Sequence, residues 1–434
     1  MSQAKRLVLL TGAALSLGAA SVAQADQSND NVRAIVSEMM SDAETRSSLL
    51  AGGDAGHDGK FFIAGDGFRL NVGGQIQFRY LLNFRDDDVA PADDFSNGFQ
   101  ARRTKLDFNG TINKDWDFRV LGSFSRDGGE FGLEEAWGRY NFANGVKFRW
   151  GQFKLPMLRE ELVSSSKQLA VERSLTNEVF TQDRSQGVEL SAQYEGWRWA
   201  VAFSDGLDSE NTDFNGGGGS LIGGFPAFKT AGEAEYAFTG RVEFLFNGKW
   251  DMFEDFTAAK GQDFGFMLGG AAHWQQSTQT PNPADVDIDT FQFTVDASLE
   301  GDSWNLYGAF IYRFQDFENA GVAGNSDASD FGAIVQGGWR FAENTEIFAR
   351  WDAIFADNDR FGGGEDNFHF ITVGFNQYYA GHAAKASIDA VWSLNDTDNL
   401  RAVGTGTLPD SGVGLLGDTN EGEVAIRLQM QLLF

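Results

Sequence analysis

The sequence predicts an all-β fold, a transmembrane antiparallel β-barrel, on the strength of three observations. Long segments alternate apolar and polar residues, the connections between them alternate between short and long, and aromatic residues and glycines are abundant while prolines are scarce. The 434 residues include 40 Phe, 11 Trp, 8 Tyr and 53 Gly but only 6 Pro. This composition fits a long series of strands better than a helical bundle.

The first 25 residues have the pattern of a signal peptide. Lys5 and Arg6 form a positive n-region, residues 7–20 are an apolar run, and residues 23–25 (Ala-Gln-Ala) supply a small-x-small cleavage site. The run is short for a membrane-spanning helix, and no other stretch approaches ~18 uninterrupted apolar residues. We therefore expect export and a mature chain that starts at Asp26, which leaves a secreted protein, a periplasmic protein or a barrel.

Residues 26–60 differ from the rest of the chain, and residues 61–434 are expected to form the barrel. Apolar residues in the first stretch have helical spacing, at Val32, Ile35, Val36, Met39 and Met40. We predict a periplasmic amphipathic helix followed by a Gly/Asp/His linker, a segment that could self-associate or reach the cell wall. A poorly ordered leader fits these residues equally well.

The end of the chain shows the strand pattern most clearly. Apolar residues occupy every second position from Val424 to Phe434, and the positions between them are mostly polar. A period of two gives one apolar and one polar face. A terminal aromatic residue on the lipid-facing register resembles the C-terminal signature of bacterial outer-membrane proteins. Residues 67–85 repeat the alternation over a length that soluble strands rarely reach, whereas a membrane strand needs ~9–11 residues.

The same alternation predicts sixteen strands in total, and an even number suits a barrel whose two ends meet in the periplasm. The predicted strands are residues 67–85, 98–112, 115–126, 131–142, 145–153, 185–194, 197–205, 235–247, 262–275, 287–299, 302–316, 328–342, 344–357, 367–379, 383–394 and 421–434. Short connections such as 113–115 alternate with long ones such as 154–184 and 395–420, as periplasmic turns and outer loops require. The connection 248–261 is intermediate in length and interrupts this regularity slightly.

Charge divides between the strands and the loops. With each apolar face turned outward, the inward faces carry sixteen basic and eight acidic residues, although the whole chain has a net charge of −28. A low-dielectric wall lined with one sign of charge concentrates the opposite ion, and guanidinium groups suit phosphate. The alternative is that these arginines pair with the inward acids and stiffen the wall. The candidate pore-wall residues are Arg69, Arg79, Arg103, Lys105, Arg119, Arg139 and Arg149.

Other functional classes find little support in the sequence. The acidic balance argues against nucleic-acid binding, and the absence of Cys excludes disulfides and thiolate metal sites. Acidic stretches such as 86–88 and 285–289 could hold Ca²⁺ or Mg²⁺ and bridge lipopolysaccharide, but without EF-hand spacing a solvated loop is the better interpretation. No cofactor, metal site or enzyme activity is predicted. The four histidines belong to no nucleophile motif, and the neighbouring carboxylates Glu134 and Glu135 should fall on opposite strand faces.

A series of short motifs runs from residue 102 to residue 206. They are Arg102-Arg103, Leu106-Asp107-Phe108-Asn109-Gly110, Trp116-Asp117-Phe118, Glu134-Glu135-Ala136-Trp137, Gly151-Gln152-Phe153-Lys154-Leu155-Pro156, Glu160-Glu161, Ser164-Ser165-Ser166, Glu172-Arg173-Ser174 and Arg184-Ser185-Gln186-Gly187-Val188. In order and spacing this segment resembles the phosphate-selective porin O and P family. The Gly-Gln-Phe-Lys-x-Pro motif is the most specific part of the resemblance.

The resemblance implies an outer-membrane porin, a trimeric barrel of sixteen strands with a loop folded into a water-filled channel. Such a channel passes small solutes by diffusion, with a possible preference for anions or phosphate. The partners would be outer-membrane lipid and lipopolysaccharide, the small solutes or anions themselves, and two further copies of the chain. The matching loop here is 154–184, and its length suits a constriction better than a surface hairpin.

The charged residues of this loop are the candidate constriction residues, namely Lys154, Arg159, Glu160, Glu161, Lys167, Arg173 and Arg184. Five basic and five acidic residues give the loop no net charge, whereas phosphate-selecting members of the family use lysines there. A general or cation-preferring porin that also tethers the envelope therefore remains an alternative. An outer-membrane hydrolase is the least favoured one.

Overall fold

The computed structural model describes residues 54–86, 93–126, 128–207, 209–211, 221–222, 225–226, 233–279, 286–318, 327–361, 363–400, 402–403, 406–417 and 422–434. The predicted signal peptide and periplasmic helix lie outside these residues. Among the described residues, 54–55 and 64–66 belong to one unit, and those within 56–63 and 67–434 belong to a second. Two short strands, Asp54–His57 and Phe61–Gly65, precede the barrel, which belongs to the second unit.

Sixteen antiparallel strands form the barrel, as the sequence predicts. They are β1 (Phe68–Phe84), β2 (Phe95–Ile112), β3 (Trp116–Phe124), β4 (Phe131–Asn141), β5 (Val146–Lys154), β6 (Arg184–Gln193), β7 (Trp197–Ser204), β8 (Glu233–Asn247), β9 (Gly265–Gln279), β10 (Val286–Gly301), β11 (Trp304–Glu318), β12 (Asp327–Ala342), β13 (Thr345–Phe355), β14 (Asn367–Tyr378), β15 (Ala384–Ser393) and β16 (Val424–Leu433). Each strand pairs with its neighbour in sequence, and β16 pairs with β1, where Val424 lies opposite Phe84. The sheet therefore closes on itself and leaves no open edge.

The two faces of each strand have the burial of a membrane barrel. Lipid-facing apolar side chains are exposed, as at Phe78 and Val335, whereas the inward polar side chains Arg79, Gln315 and Gln336 are buried. Aromatic side chains pair across neighbouring strands at both ends, for example Trp116 with Tyr140 and Tyr312 with Phe331. This is the arrangement expected of interfacial aromatic girdles around an apolar band. No helix in the described ranges combines the length and the apolar character that crossing a membrane would need.

The short connections lie together at one end of the barrel and the long ones at the other. The turn between β2 and β3 has Asn113 at φ 52° and Lys114 at φ 64°. Two successive residues with positive φ suit a tight hairpin whose twist matches that of its strands. The connection 248–264 between β8 and β9 lies at the short-turn end. It contains a 3-10 helix, Trp250–Glu254, and the buried side chains Phe253 and Phe256.

Two irregularities in the ladder change which side chains face the lumen. Gln77 pairs with Arg103 and Phe78 with Ala101, so that Arg102 is an extra residue in β2. Likewise, Leu121 pairs with Glu135 and Gly122 with Leu133, so that Glu134 is an extra residue in β4. A bulge lets two consecutive side chains point to the same side of a strand.

The prediction that Glu134 and Glu135 lie on opposite faces is therefore wrong. Both carboxylates approach the same inward guanidinium of Arg184, at 2.9 Å and 3.6 Å. The bulge at Glu134 breaks the period of two on which that prediction rested.

Candidate pore constriction

The connection between β5 and β6, residues 155–183, is here called the inward loop. It contains two short helices, α1 (Arg159–Leu162) and α2 (Leu175–Phe180). Inward side chains of five strands donate hydrogen bonds to its backbone carbonyls: Gln292 to Phe180, Arg313 to Val179, Asn376 to Leu169, Lys385 to Gln168 and Gln431 to Ser166, at 2.8–3.0 Å. The loop therefore packs against the inner face of the wall from β10 round to β16.

Apolar side chains explain why the loop packs there. Met157, Leu169, Leu175, Val179 and Phe180 are buried together with inward apolar residues of the wall in one cluster. Burial of this apolar surface stabilises the folded loop, although it lies inside a barrel whose inner face is largely polar. This part of the lumen is consequently a packed core.

Local hydrogen bonds fix the shape of the loop. The Ser174 side chain caps α2 by accepting from the backbone N–H of Asn177. The carboxylate of Glu160 accepts from the backbone N–H and the hydroxyl of Ser174 at 2.8 Å and 2.6 Å. Glu160 also lies 3.4 Å from Arg350 of β13, which links the loop to the wall.

A second segment also contacts the inner face, although the sequence predicted only a long outer loop there. Within the connection 394–423, Leu408, Val413 and Leu415 are buried in the same apolar cluster. Arg79 donates to the carbonyl of Gly412 and Arg427 to that of Val413, both at 2.9 Å. Single-strand periodicity contains no signal for such a contact.

Two cavities lie beside the inward loop, along the wall formed by β2 to β6. One has a volume of about 260 Å³ and the other of about 570 Å³. They share four lining residues, Lys105, Lys154, Ser165 and Arg184. Because the cavities meet at these side chains, we take them as the candidate constriction.

Basic side chains outnumber acidic ones along this path. Eleven basic and six acidic side chains line the two cavities together. The basic residues are Lys60, Arg102, Arg103, Lys105, Arg119, Arg126, Arg149, Lys154, Lys167, Arg173 and Arg184, and the acidic residues are Asp107, Glu134, Glu135, Glu161, Glu178 and Asp183.

Five of the seven predicted constriction residues line the path. Lys154, Glu161, Lys167, Arg173 and Arg184 each border one or both cavities. Arg159 and Glu160 border neither, because α1 turns them toward the packed side of the lumen. The Arg159 guanidinium donates to Ser298 Oγ and to the carbonyl of Phe253, both at 2.8 Å.

Lys154 and Arg173 brace the loop as well as facing the path. Lys154 Nζ lies 2.6 Å and Arg173 Nε 3.2 Å from the carboxylate of Glu161. Although burial opposes it, the two cations hold the pKa of Glu161 below its usual range. Lys167, by contrast, forms an exposed pair with Glu254 at 2.9 Å.

Four of the seven predicted wall residues, Arg103, Lys105, Arg119 and Arg149, line the cavities, whereas Arg69, Arg79 and Arg139 do not. All seven form ion pairs, but only Arg119, Arg139 and Arg149 pair with inward wall acids, as the alternative expected. The pairs are Arg69–Asp58, Arg79–Glu172, Arg103–Glu172, Lys105–Glu134, Arg119–Asp107, Arg139–Asp117 and Arg149–Glu189. Several cations share one carboxylate, and the excess of basic side chains along the path persists.

Glu172 of the inward loop is the clearest case of sharing. Its carboxylate contacts Arg79, Arg102 and Arg103, while its own side chain is 1% exposed. Against the effect of burial, the three guanidinium groups hold the pKa of Glu172 well below its usual range. The sequence prediction missed Arg102, because a strict period of two turns it outward. The Arg102-Arg103 doublet was the available signal.

Within the described residues, the histidines show no arrangement typical of nucleophilic catalysis. His273 Nδ1 lies 2.8 Å from the Thr239 hydroxyl, but both side chains are buried, and the other ring nitrogen contacts Gln275 rather than a carboxylate. His382 contacts Asp255. Over the part of the chain that the structure describes, no three His, Asp or Glu side chains cluster in a way that could hold a metal ion.

Residues 70–263 match the sequence pattern of the phosphate-selective porin O and P family, which confirms the resemblance seen in residues 102–206. The matched region covers nearly all of β1 through β8 and includes the inward loop. No match was found among curated protein sequences.

Several solved structures share the fold at low sequence identity. An anion-selective porin from Comamonas acidovorans is 13% identical, with a TM-score of 0.56 over 85% of this chain and 100% of that chain. The outer-membrane protein OmpT of Vibrio cholerae is 11% identical, with a TM-score of 0.54 over 85% and 98%. The outer-membrane channel DcaP of Acinetobacter baumannii is 14% identical, with a TM-score of 0.52 over 84% and 98%. These likenesses concern the fold.

Proposed function

We propose, from the match of residues 70–263 to the phosphate-selective porin O and P family, that the chain is an anion-preferring diffusion porin. The protein is an outer-membrane channel for small solutes. The proposed path runs between the inward loop and the wall of β2 to β6, through Lys105, Lys154, Ser165 and Arg184. Solutes would diffuse passively, without a cofactor or a chemical step.

The excess of basic side chains along the path carries this proposal. Fixed charges in a narrow, low-dielectric passage concentrate ions of the opposite sign. Eleven basic against six acidic side chains therefore favour chloride, phosphate and other small anions over cations. Partial pairing makes the preference a weak one, because each carboxylate cancels part of the field of its neighbours.

A cation-preferring or general porin is the second candidate, favoured by the overall charge of −28. If acidic outer loops rather than the constriction controlled ion entry, they would concentrate cations at the mouth. An envelope-tether role for residues 26–60 could coexist with either channel. Catalysis finds no support in the arrangement around His273 and His382, and we propose no enzymatic role.

The assembly and export of the protein are also proposals. A trimer form has been solved for the OmpT protein of Vibrio cholerae, and we propose a homotrimer here, in contact with outer-membrane lipid and lipopolysaccharide. Residues 1–25 would direct export and be removed. The polar-in, apolar-out strands support a position in the outer membrane.

Reversal potentials of the purified protein in planar bilayers under a KCl gradient test the ion preference. We expect a reversal potential whose sign indicates that chloride permeates better than potassium. We also expect inorganic phosphate to block the chloride current in a concentration-dependent way. A reversal potential that indicates better permeation of potassium, without block by phosphate, would contradict the proposal and favour the second candidate. Crosslinking in detergent, followed by denaturing electrophoresis, would test the trimer separately.

A further inference from the structure

The bulge at Glu134 places a carboxylate at the junction of the two cavities, where a regular strand would turn that side chain toward lipid. Leu133 and Glu135 pair with consecutive residues of β3, so that Glu134 has no partner across the ladder. Because of this extra residue, Glu134 faces the smaller cavity and Glu135 the larger one. The doublet thus supplies one carboxylate to each side of the constriction.

Glu134 contacts two of the four residues that the cavities share. Its Oε2 lies 2.5 Å from Lys105 Nζ and 2.9 Å from Arg184 Nη2. Of the carboxylates in the described ranges, Glu134 is the one in ion-pair contact with Lys105. Arg184 also has Asp183 at 3.0 Å and Glu135 at 3.6 Å.

The exposure of Glu134 separates it from the structural carboxylate Glu172. The side chains of Glu134, Lys105 and Arg184 are 16%, 11% and 11% exposed and border open space. Glu172 is 1% exposed and borders neither cavity. A charge reachable by a passing ion alters the local potential far more than one enclosed among its partners.

We propose that Glu134 sets the ion preference of the pore by neutralising Lys105 and Arg184 at the constriction. The negative charge of Glu134 lowers the preference of the pore for anions. This inference rests on the proposed channel function, since it assigns a selectivity-determining residue to that path. Without the negative charge of Glu134, the positive charge of Arg184 is less compensated. Arg184 keeps its own charge, because arginine does not lose its proton at working pH.

The test compares three purified proteins in planar bilayers under a KCl gradient: the natural sequence, Glu134→Gln and Asp117→Asn. Asp117 is a wall carboxylate paired with Arg139 at 2.7 Å, and neither residue borders the cavities. It therefore controls for the loss of one wall carboxylate away from the path. We expect Glu134→Gln to raise the chloride-to-potassium permeability ratio by about twofold or more, and Asp117→Asn to leave it unchanged.

The reciprocal variants complete the experiment. Lys105→Gln should lower the permeability ratio, and the double variant Lys105→Gln with Glu134→Gln should return it toward the natural value. If Glu134→Gln fails to form a barrel, Lys105→Gln alone still decides the matter. An unchanged ratio in that variant overturns the inference.

The outcomes separate this inference from the proposed function. A natural protein that shows no conductance contradicts the channel and, with it, this role of Glu134. A natural protein that conducts while Glu134→Gln keeps the natural ratio leaves the channel intact and refutes the role of Glu134. An equal shift in Asp117→Asn would also refute it, because the effect would then not depend on the constriction.

Discussion

The carboxylate of Glu172 lies 2.6 Å from Arg79 Nη2, and both side chains are fully enclosed within the barrel. The pair joins the inward loop to β1, and Arg102 and Arg103 of β2 complete the contact. A carboxylate shared by three guanidinium groups fixes the position of the loop against β1 and β2. The shape of the path therefore depends on this contact.

Replacing Glu172 with Gln should destabilise the folded barrel by roughly 3–5 kcal/mol, because it leaves buried guanidinium groups without their counter-charge. Equilibrium unfolding in urea, with refolding into vesicles, measures the free energy of unfolding. The control is Asp58→Asn, because the side chain of Asp58 is 54% exposed and forms a surface ion pair with Arg69. This substitution should cost at most about 1 kcal/mol of stability. Equal losses of stability in the two variants would show that the buried contact of Glu172 contributes no more than a surface ion pair.

The apolar core inside the lumen gives a second prediction. Phe180 is fully buried in it, under the guanidinium of Arg313 at 4.7 Å. We expect Phe180→Ala to cost about 3–5 kcal/mol of stability and to raise single-channel conductance, because the loop loses an anchor on the wall. Phe246→Ala removes a lipid-facing ring and should leave conductance unchanged. A natural conductance in Phe180→Ala would mean that the loop holds its position without this side chain.

Lys154 gives a third prediction, on selectivity. Its ammonium borders both cavities and contacts Glu161. Lys154→Gln should lower the chloride-to-potassium permeability ratio, since one cation at the constriction is lost while the carboxylate stays. The exposed Lys249 lies outside both cavities, and Lys249→Gln is the matched control. Identical reversal potentials in the two variants would place Lys154 outside the ion path.

The connection 248–264 gives a fourth prediction, on pH. His382 Nε2 lies 3.2 Å from Asp255 Oδ2, so that the short turn after β14 holds this connection at its end of the barrel. Burial lowers the pKa of His382, and the nearby Lys385 and Lys167 act in the same direction against the Asp255 carboxylate. Because the pKa of His382 is lower in the folded state than the unfolded value of about 6.5, protonation of His382 favours the state in which its contact with Asp255 is broken. The contact therefore weakens as pH falls through that value.

Amide hydrogen exchange in residues 250–258 should therefore be faster at pH 5.5 than at pH 7.5, after correction for intrinsic rates. The hydrogen bond from His382 also lowers the pKa of Asp255, and that contribution is lost only at a lower pH. In His382→Gln the corrected rates should no longer depend on pH in this window. A natural protein with equal corrected rates at both pH values contradicts the prediction.

The alternation of apolar and polar residues was sufficient to predict the barrel, its sixteen strands and, outside the bulges, the face that each strand turns to lipid. Side chains alternate between the two faces of a strand, and the face in contact with lipid must be apolar. These properties are local, so they can be recognised in the segments from Phe68 to Phe84 and from Val424 to Phe434 without other information. The Gly-Gln-Phe-Lys-x-Pro motif likewise indicated the family before any fold was known.

Which charged side chains contact one another depends on the three-dimensional fold. The bulges at Arg102 and Glu134 shift two side chains to the inner face, and a bulge depends on the partner strand rather than on the residues it contains. The partners of Glu172 lie 69 to 93 residues away in sequence, and strand periodicity cannot bring such distant positions together. Strand periodicity predicts most of the residues that can face the path, whereas the bulges and the packing of the inward loop decide which residues do face it.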